Sequence, residues 1–174
     1  MIDLHTHLIP SVDDGSRTVE QSVEVLERFA KQGVTAVCCT PHLKASEADD
    51  PPCGGMDDLL ADLRDAAPPA VQLSRGFEIF LDVPDPDLTE PCLGIAGTRY
   101  VLGEFGRLVP AEASVETLQR VVGQDRIPLL AHPERYTACT PELGRRWQEI
   151  GVVLQLDATT LLMESRRADR ARAL

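Results

Sequence analysis

The four histidines of this chain all stand where a short apolar, strand-like run ends. They are His5 and His7 after residues 1–4, His42 after residues 34–40, and His132 after residues 127–131. Carboxylates stand in comparable places, at Asp13, Asp14, Glu78 and Glu104. Because the carboxyl ends of parallel strands meet at one face of an α/β fold, we expect these side chains to converge. Imidazole and carboxylate ligands brought together predict a site for divalent metal ions.

Each of these residues, taken alone, also has an ordinary structural interpretation. It can be a helix cap, one half of a buried ion pair, or a hydrogen-bonded polar group. That interpretation is weaker for the whole set, because unpaired buried carboxylates are costly and a metal cation is a natural partner for them. We therefore interpret the set as one metal site.

The remaining pattern alternates short apolar runs with amphipathic helices, which predicts an α/β fold with mainly parallel strands. Strands are expected over residues 2–4, 34–40, 71–79, 98–103, 127–131 and 152–156. Helices are expected over residues 18–31, 56–66, 114–123, 140–150 and 159–173, with a polar loop at 44–55 and an irregular, proline-rich segment at 82–94. Since no linker or repeat interrupts the sequence, residues 1–174 are predicted to form a single domain.

Composition restricts the partners and the location of the chain. A net charge of −11 disfavours nucleic-acid binding, and no apolar stretch approaches the roughly 20 residues of a membrane span. The five cysteines are irregularly spaced and include no Cys-x-x-Cys pair, so no disulfide framework or zinc ribbon is expected. The N-terminus shows no signal-peptide pattern, and the predicted location is the cytoplasm, without membrane insertion.

Five short motifs, in their order and spacing, resemble those of the polymerase-and-histidinol-phosphatase (PHP) superfamily. They are His5-Thr6-His7 with Val12-Asp13-Asp14-Gly15, then Thr40-Pro41-His42, Phe77-Glu78, Glu104-Phe105 and Ala131-His132-Pro133-Glu134-Arg135-Tyr136. Within that superfamily the chain is most similar to the bacterial metal-dependent protein-tyrosine phosphatases of capsule and exopolysaccharide biosynthesis. The resemblance extends from Met1 to about residue 165.

The resemblance implies a distorted (β/α)7-type PHP barrel that holds up to three divalent ions, usually manganese, with iron or zinc as alternatives. It places His5, His7 and Glu78 on a first ion. Glu78 bridges to a second ion, which Glu104 and His132 also bind. Asp14 and His42 hold a third ion, with Asp13 as the alternative to Asp14. The resemblance further assigns Arg135 to the substrate phosphate.

One departure from the family pattern concerns the end of the chain. The family completes its site with a late Asp-x-His motif on the last strand, and no histidine follows His132 here. We therefore expect the barrel to be incomplete at the C-terminus, lacking its last strand and helix. The first and third ions would each lack one protein ligand, so fewer ions are expected. The uncovered barrel edges make self-association plausible.

The resemblance implies a metal-dependent phosphoric monoester hydrolase, first of all a protein-tyrosine phosphatase acting on a bacterial tyrosine kinase of polysaccharide biosynthesis. A phosphatase for histidinol phosphate or another small phosphoester would use the same ligands. A catalytically inactive, truncated metal-binding remnant is a third possibility. A metal-dependent nuclease is disfavoured by the acidity of the chain and the absence of a basic stripe.

A second phosphatase mechanism has a possible signature between Cys139 and Arg145, which match a Cys-x5-Arg spacing. A phosphate-binding loop needs free backbone N–H groups. The segment instead contains Pro141 and the anionic Glu142, so we interpret residues 140–142 as a helix start.

Three side chains near the predicted site carry weaker expectations. Asp3 is a candidate acceptor for a ligand imidazole, and a solvated strand residue is the equal alternative. Arg135 has an alternative role in an ion pair with Glu134 or Glu142. Tyr136 is expected to serve packing alone.

Overall fold

The computed structural model describes all residues from Met1 to Leu174. The chain forms eight strands, β1 Ile2–Thr6, β2 Ala36–Cys39, β3 His42–Lys44, β4 Gln72–Arg75, β5 Glu78–Phe80, β6 Tyr100–Glu104, β7 Ile127–Ala131 and β8 Val153–Gln155. They make one sheet in the order β1-β2-β4 and a second in the order β3-β5-β6-β7-β8. Every strand pair is parallel. The predicted α/β class with parallel strands is confirmed.

One of the expected strands is divided in two, and another is followed by a short strand that was not expected. The predicted strand at 34–40 is observed as β2, with the additional strand β3 after Pro41, and the predicted strand at 71–79 breaks at residues 76–77. At both breaks the chain passes from the first sheet to the second. Gly76 is required there, because a Cβ atom at this position would lie 3.1 Å from the Cα of Ile95. The break places His42 and Glu78 side by side at the start of paired strands.

The helices are α1 Val19–Lys31, α2 Cys53–Ala66, α3 Ala111–Gly123, α4 Pro141–Glu149, α5 Ala158–Leu161 and α6 Arg166–Ala173. The first four agree with the sequence-based prediction to within about one turn. The hydroxyls of Thr18 and Thr140 cap α1 and α4 by accepting from backbone N–H groups in the first turn. The single helix predicted over 159–173 is wrong, because Ser165 caps a separate helix, α6, by accepting from the N–H of Ala168.

Two apolar cores lie behind the two sheets. The larger core contains Trp147, Tyr136 and Phe77 and supports the five-stranded sheet. The smaller core contains Leu26 and Leu60 and lies between the three-stranded sheet and the first two helices. Strands β1 and β8 each pair with only one neighbour, so each keeps one free edge. Side chains along these edges are exposed, at 65% for Ile2 and 43% for Val153.

A disulfide joins Cys53 to Cys92, which contradicts the expectation that the cysteines form no such bond. Cys53 begins α2, and Cys92 lies in a 3-10 turn of residues 91–93 inside the proline-rich segment. Their Cα atoms are 6.3 Å apart, although 39 positions separate them in the sequence. The spacing of these two cysteines in the sequence does not predict the bond, because only the folded chain brings the helix and the turn together. The other three cysteines are free and buried. None of the helices has the length and apolar character needed to cross a membrane.

Candidate metal centre

One cleft of about 730 Å³ contains all seven predicted metal ligands together with Arg135. Four of them lie in strands, His5 in β1, His42 in β3, Glu78 in β5 and Glu104 in β6. His7 and His132 directly follow β1 and β7, and Asp14 lies in the loop between β1 and α1. The carboxyl ends of parallel strands meet at this face, as the spacing of the motifs predicted. The structure therefore brings the whole predicted set into one place.

Glu78 is the centre of the cluster. It is only 1% exposed, yet four imidazole nitrogens surround its carboxylate. The closest contact is 2.8 Å from Nε2 of His132, and the others are 3.2 Å from Nε2 of His5, Nε2 of His7 and Nδ1 of His42. Burial alone would raise the pKa of Glu78, but hydrogen bonds from the imidazoles hold that pKa well below its usual range.

Glu104 supplies a second carboxylate beside the first. Its oxygens lie 3.5 Å from Nε2 of His132 and 3.7 Å from Nδ1 of His42. Burial, and then the negative charge of Glu78, raise the pKa of Glu104 above its usual value. Two carboxylates that share imidazoles in this way have a strong electrostatic reason to bind a cation.

Asp13 and Asp14 have different surroundings. Asp13 accepts from Nδ1 of His7 at 2.7 Å and from the backbone N–H groups of Gly15 and His42 at 2.9 and 3.3 Å. Asp14 is 85% exposed and lies 3.4 Å from Nε2 of His42. Asp13 thus orients the His7 ring, and Asp14 keeps its oxygens free. This geometry favours Asp14 as the ligand of the pair.

The turn that carries these aspartates depends on Gly15. A Cβ atom at this position would lie 2.1 Å from the carbonyl oxygen of His7, so any other residue would push the turn away from the site. Burial would lower the pKa of His7, but hydrogen bonds to Glu78 and Asp13 outweigh it and raise that pKa to about 9. The protein without metal therefore favours a protonated His7.

The backbone at His132 is strained. This residue adopts a left-handed conformation with φ 33° and ψ 54°, which only a few per cent of residues other than glycine adopt. Its N–H donates to the carbonyl oxygen of Gln155 at 2.7 Å, which ties the end of β7 to β8. Strain of this kind clusters at functional sites, where the surrounding structure enforces it.

The expectation for Asp3 is wrong, and Gln155 takes the role that we assigned to it. Asp3 accepts from the backbone N–H of His5 at 3.1 Å rather than from a ring. The Nδ1 atom of His5 lies instead 3.1 Å from Oε1 of Gln155. The sequence analysis missed Gln155, although its position at the end of a predicted strand was a usable signal.

Arg135 forms an ion pair, but not with either expected partner. Its Nη2 donates to Oδ2 of Asp157 at 2.9 Å. Glu134 is completely buried, and Glu142 contacts Arg145 instead. Asp157 is the second residue that sequence reasoning missed, two positions after Gln155. Because Arg135 is 40% exposed, its guanidinium remains accessible from the cleft.

Tyr136 and Cys139 are further residues near the site. Tyr136 is buried and packs as expected, but it does more than pack, because its hydroxyl donates to the carbonyl oxygen of Ala131 and accepts from the N–H of Phe105. Cys139 is also buried, and burial raises the pKa of its thiol to about 11. A thiol with such a pKa is a poor nucleophile at neutral pH. The Cys-x5-Arg match is therefore not a catalytic loop.

The spacing of the ligand atoms suits metal ions. The ligand atoms form three overlapping groups, within each of which they lie no more than 4.8 Å apart. The groups are His7, Asp13, Asp14 and His42; His5, Glu78 and His132; and His42, Glu78 and Glu104. Ligands arranged as a tetrahedron at metal-bond distance lie about 3.4 Å from one another. The 3.2 to 3.5 Å separations measured between imidazole nitrogens and carboxylate oxygens match that spacing.

Comparison with known proteins finds relatives that are named tyrosine-protein phosphatases. Tyrosine-protein phosphatase YwqE of Bacillus subtilis is 27% identical over 139 residues, which cover 78% of this chain and 55% of the relative. The putative tyrosine-protein phosphatase CapC of Staphylococcus aureus is 26% identical over 174 residues, covering 93% of this chain and 66% of the relative. The chain thus spans between 55% and 66% of the length of these two relatives.

A crystal structure from work on YwqE of Bacillus subtilis and CpsB of Streptococcus pneumoniae, described as unique metal-dependent tyrosine phosphatases, shares the fold. It superposes with a TM-score of 0.77 at 24% identity, over 99% of this chain and 73% of that one. The family model for capsular polysaccharide synthesis, CpsB/CapC, matches residues 1–171. This match confirms the resemblance found in the motifs, and the chain belongs to the CpsB/CapC family.

Proposed function

We propose that this chain is a metal-dependent phosphoric monoester hydrolase that removes phosphate from phosphotyrosine in proteins. The observation that carries the proposal is the buried carboxylate of Glu78, which four imidazoles surround in a cleft that also contains the Arg135 guanidinium. Its relatives are tyrosine-protein phosphatases by name. Both facts support the same reaction.

The residues of the cleft divide into two tasks. The proposed metal ligands are His5, His7, Asp14, His42, Glu78, Glu104 and His132, with Mn²⁺ as the first candidate and iron or zinc as alternatives. When bound, such ions supply Lewis acidity and a nucleophile at neutral pH. Arg135 is proposed to bind the phosphate oxygens and to stabilise the charge that shifts onto them during the reaction.

Asp13 and Gln155 are proposed to orient two of the ligands. Each accepts from the Nδ1 side of an imidazole, His7 for Asp13 and His5 for Gln155. An acceptor at Nδ1 fixes the tautomer and leaves Nε2 free for a metal ion. In both rings the Nε2 atom is the one directed at Glu78.

We further propose that the two sheets are parts of one PHP-type barrel within a single domain. The free edges of β1 and β8 flank the cleft, and the contact between His5 and Gln155 connects them. An open barrel of this kind leaves room for a further strand or for self-association, which sedimentation of the purified chain would detect. A sharp monomer boundary at all concentrations would contradict self-association.

The proposed substrate is a phosphotyrosine segment of a bacterial tyrosine kinase of polysaccharide biosynthesis, and the proposed location is the cytoplasm. The net charge of −11 argues against nucleic acid as a substrate. Thiol trapping in intact cells tests the location. A reducing cytoplasm would release the thiols of Cys53 and Cys92, and an oxidising compartment would keep them paired.

Hydrolysis of a phosphotyrosine peptide tests the proposed function directly. The chain is assayed with Mn²⁺ and again after addition of EDTA, with histidinol phosphate as the competing substrate. We expect turnover of the peptide that EDTA abolishes. Preferred turnover of histidinol phosphate would point to a small-molecule phosphatase. Bound metal without any turnover would overturn the proposal in favour of an inactive metal-binding protein.

A further inference from the structure

We propose that Asp157 is a positioning residue that holds the guanidinium of Arg135 in place over the metal cleft. The inference rests on the proposed function, in which Arg135 binds phosphate. It adds a carboxylate that none of the PHP motifs in this chain contains.

The carboxylate of Asp157 is held by its own contacts. Oδ2 accepts from Nη2 of Arg135 at 2.9 Å, and Oδ1 accepts from the N–H and the hydroxyl of Thr159 at 2.9 and 2.6 Å. Burial would raise the pKa of Asp157, but the hydrogen bonds from Thr159 and Arg135 hold it well below its usual range. The group therefore carries a full negative charge at neutral pH.

The backbone of Asp157 is tied to the same turn that carries Arg135. Its N–H contacts Oε1 of Glu134 at 3.4 Å, and Glu134 is completely buried. The turn of residues 133–135 receives a further bond from α6, because Nε of Arg170 donates to the carbonyl oxygen of Glu134 at 3.1 Å. Side chain and backbone thus connect the end of β8 to the turn after β7 at two points.

Asp157 leaves part of the guanidinium available. The Arg135 side chain is 40% exposed and lines the cleft, and Asp157 accepts from its Nη2 atom alone. A guanidinium offers five N–H donors, and phosphate oxygens can accept from two of them at once. A guanidinium group that is already held in one orientation loses less conformational freedom when it binds an anion. Removal of the Asp157 charge is therefore expected to weaken phosphate binding.

A change in the opposite direction, towards tighter phosphate binding, would have a different physical meaning. If Asp157 competed with the substrate for Arg135, removal of its charge would free the guanidinium and strengthen phosphate binding. The direction of the change therefore decides between positioning and competition.

The experiment compares Asp157→Asn with the unaltered chain. Asparagine is also a good N-cap and can still accept from Thr159, so α5 retains its start. The dissociation constant of inorganic phosphate for the manganese-loaded chain is measured by titration calorimetry, and kcat and KM are measured with a phosphotyrosine peptide. We expect phosphate to bind about tenfold more weakly, because the amide nitrogen that replaces Oδ2 cannot accept from Arg135 and the charge-assisted hydrogen bond is lost. KM is expected to rise by a similar factor, with a smaller change in kcat.

Two further comparisons identify the cause of any loss of phosphate affinity in Asp157→Asn. In an Arg135→Ala background, Asp157→Asn should change phosphate affinity no further, because its effect passes through the guanidinium. Glu112→Gln removes the carboxylate charge and one of the two hydrogen bonds of 2.8 Å to Arg146, outside the cleft, and should leave phosphate affinity unchanged. Melting temperatures of the variants report any general loss of stability.

Unchanged or tighter phosphate binding by Asp157→Asn would overturn the inference. An equal loss in the Arg135→Ala background would do so as well, since it would show a merely structural effect. Absence of phosphate binding by the unaltered chain would overturn it too. A chain that binds phosphate in this pattern without hydrolysing the peptide would retain the inference and refute the phosphatase proposal, so the two failures are distinguishable.

Discussion

The Nδ1 atom of His5 lies 3.1 Å from Oε1 of Gln155, a residue 150 positions further along the chain. This contact connects β1 and β8, each of which has one free edge. The glutamine oxygen accepts a hydrogen bond from Nδ1, so Nε2 of His5 is the nitrogen that faces Glu78. Gln155 thus links the geometry of the open edge to a proposed metal ligand.

Gln155→Leu is expected to weaken Mn²⁺ binding by roughly 10–100-fold, the usual cost of losing a partner that orients a ligating histidine. Leucine fills a similar volume but offers no acceptor to Nδ1. The measurement is calorimetric titration of the metal-free chain with Mn²⁺. Gln155→Glu keeps an acceptor and should bind Mn²⁺ at least as well as the unaltered chain. Equal affinities for the leucine and glutamate variants would refute the role of Gln155.

His132→Asn tests the ligand on β7 with little disturbance of the backbone. Asparagine tolerates the left-handed conformation at this position better than alanine does. We expect metal-dependent turnover to disappear in both His132→Asn and His132→Ala, because each loses a nitrogen that contacts Glu78 and Glu104. The asparagine variant should melt at a higher temperature than the alanine variant. Full activity in either variant would exclude His132 as a ligand.

The positions of most of the proposed ligands could be predicted from the sequence because they stand next to the ends of apolar, strand-like runs. Parallel strands bring their carboxyl ends together at one face, so the sequence position of His132 or Glu104 also indicates its place in the fold. Local patterns also predicted α1 and α4, whose first turns carry their own capping threonines.

The partners of these residues depend on tertiary contacts that no local pattern records. Asp157 approaches Arg135 only because β8 lies beside β7, and Cys53 approaches Cys92 only because α2 packs near the proline-rich segment. The short strand β3, which the sequence analysis did not expect, is likewise a tertiary effect. After β2 the chain leaves one sheet and joins the other as β3.

Mn²⁺ affinity is expected to rise with pH between about 6.5 and 9. The pKa of His7 is raised to about 9 in the metal-free protein, so its ring keeps a proton over that range. Metal ions bind the neutral imidazole, and each binding event must therefore displace the proton. Calorimetry in two buffers of different ionisation enthalpy would count the released protons. An affinity that does not change across this range would show that His7 is already neutral.

Reduction of the bond between Cys53 and Cys92 is expected to lower the free energy of unfolding by roughly 2–4 kcal/mol. A cross-link over 39 positions restricts the unfolded chain, and that restriction disappears when the bond opens. The measurement is unfolding in guanidinium chloride with and without a dithiol reductant. Cys92→Ser should reproduce the reduced protein and respond no further to reductant.

Cys139→Ser is the matched control, because Cys139 is a free and buried thiol. This variant can lose stability through its own buried hydroxyl, but the difference between its oxidised and reduced forms should equal that of the unaltered chain. Comparing the difference in free energy of unfolding between oxidised and reduced forms, variant against unaltered chain, removes the cost of the substitution itself. A chain whose unfolding midpoint does not respond to reductant would show that the disulfide contributes nothing to the stability of the fold.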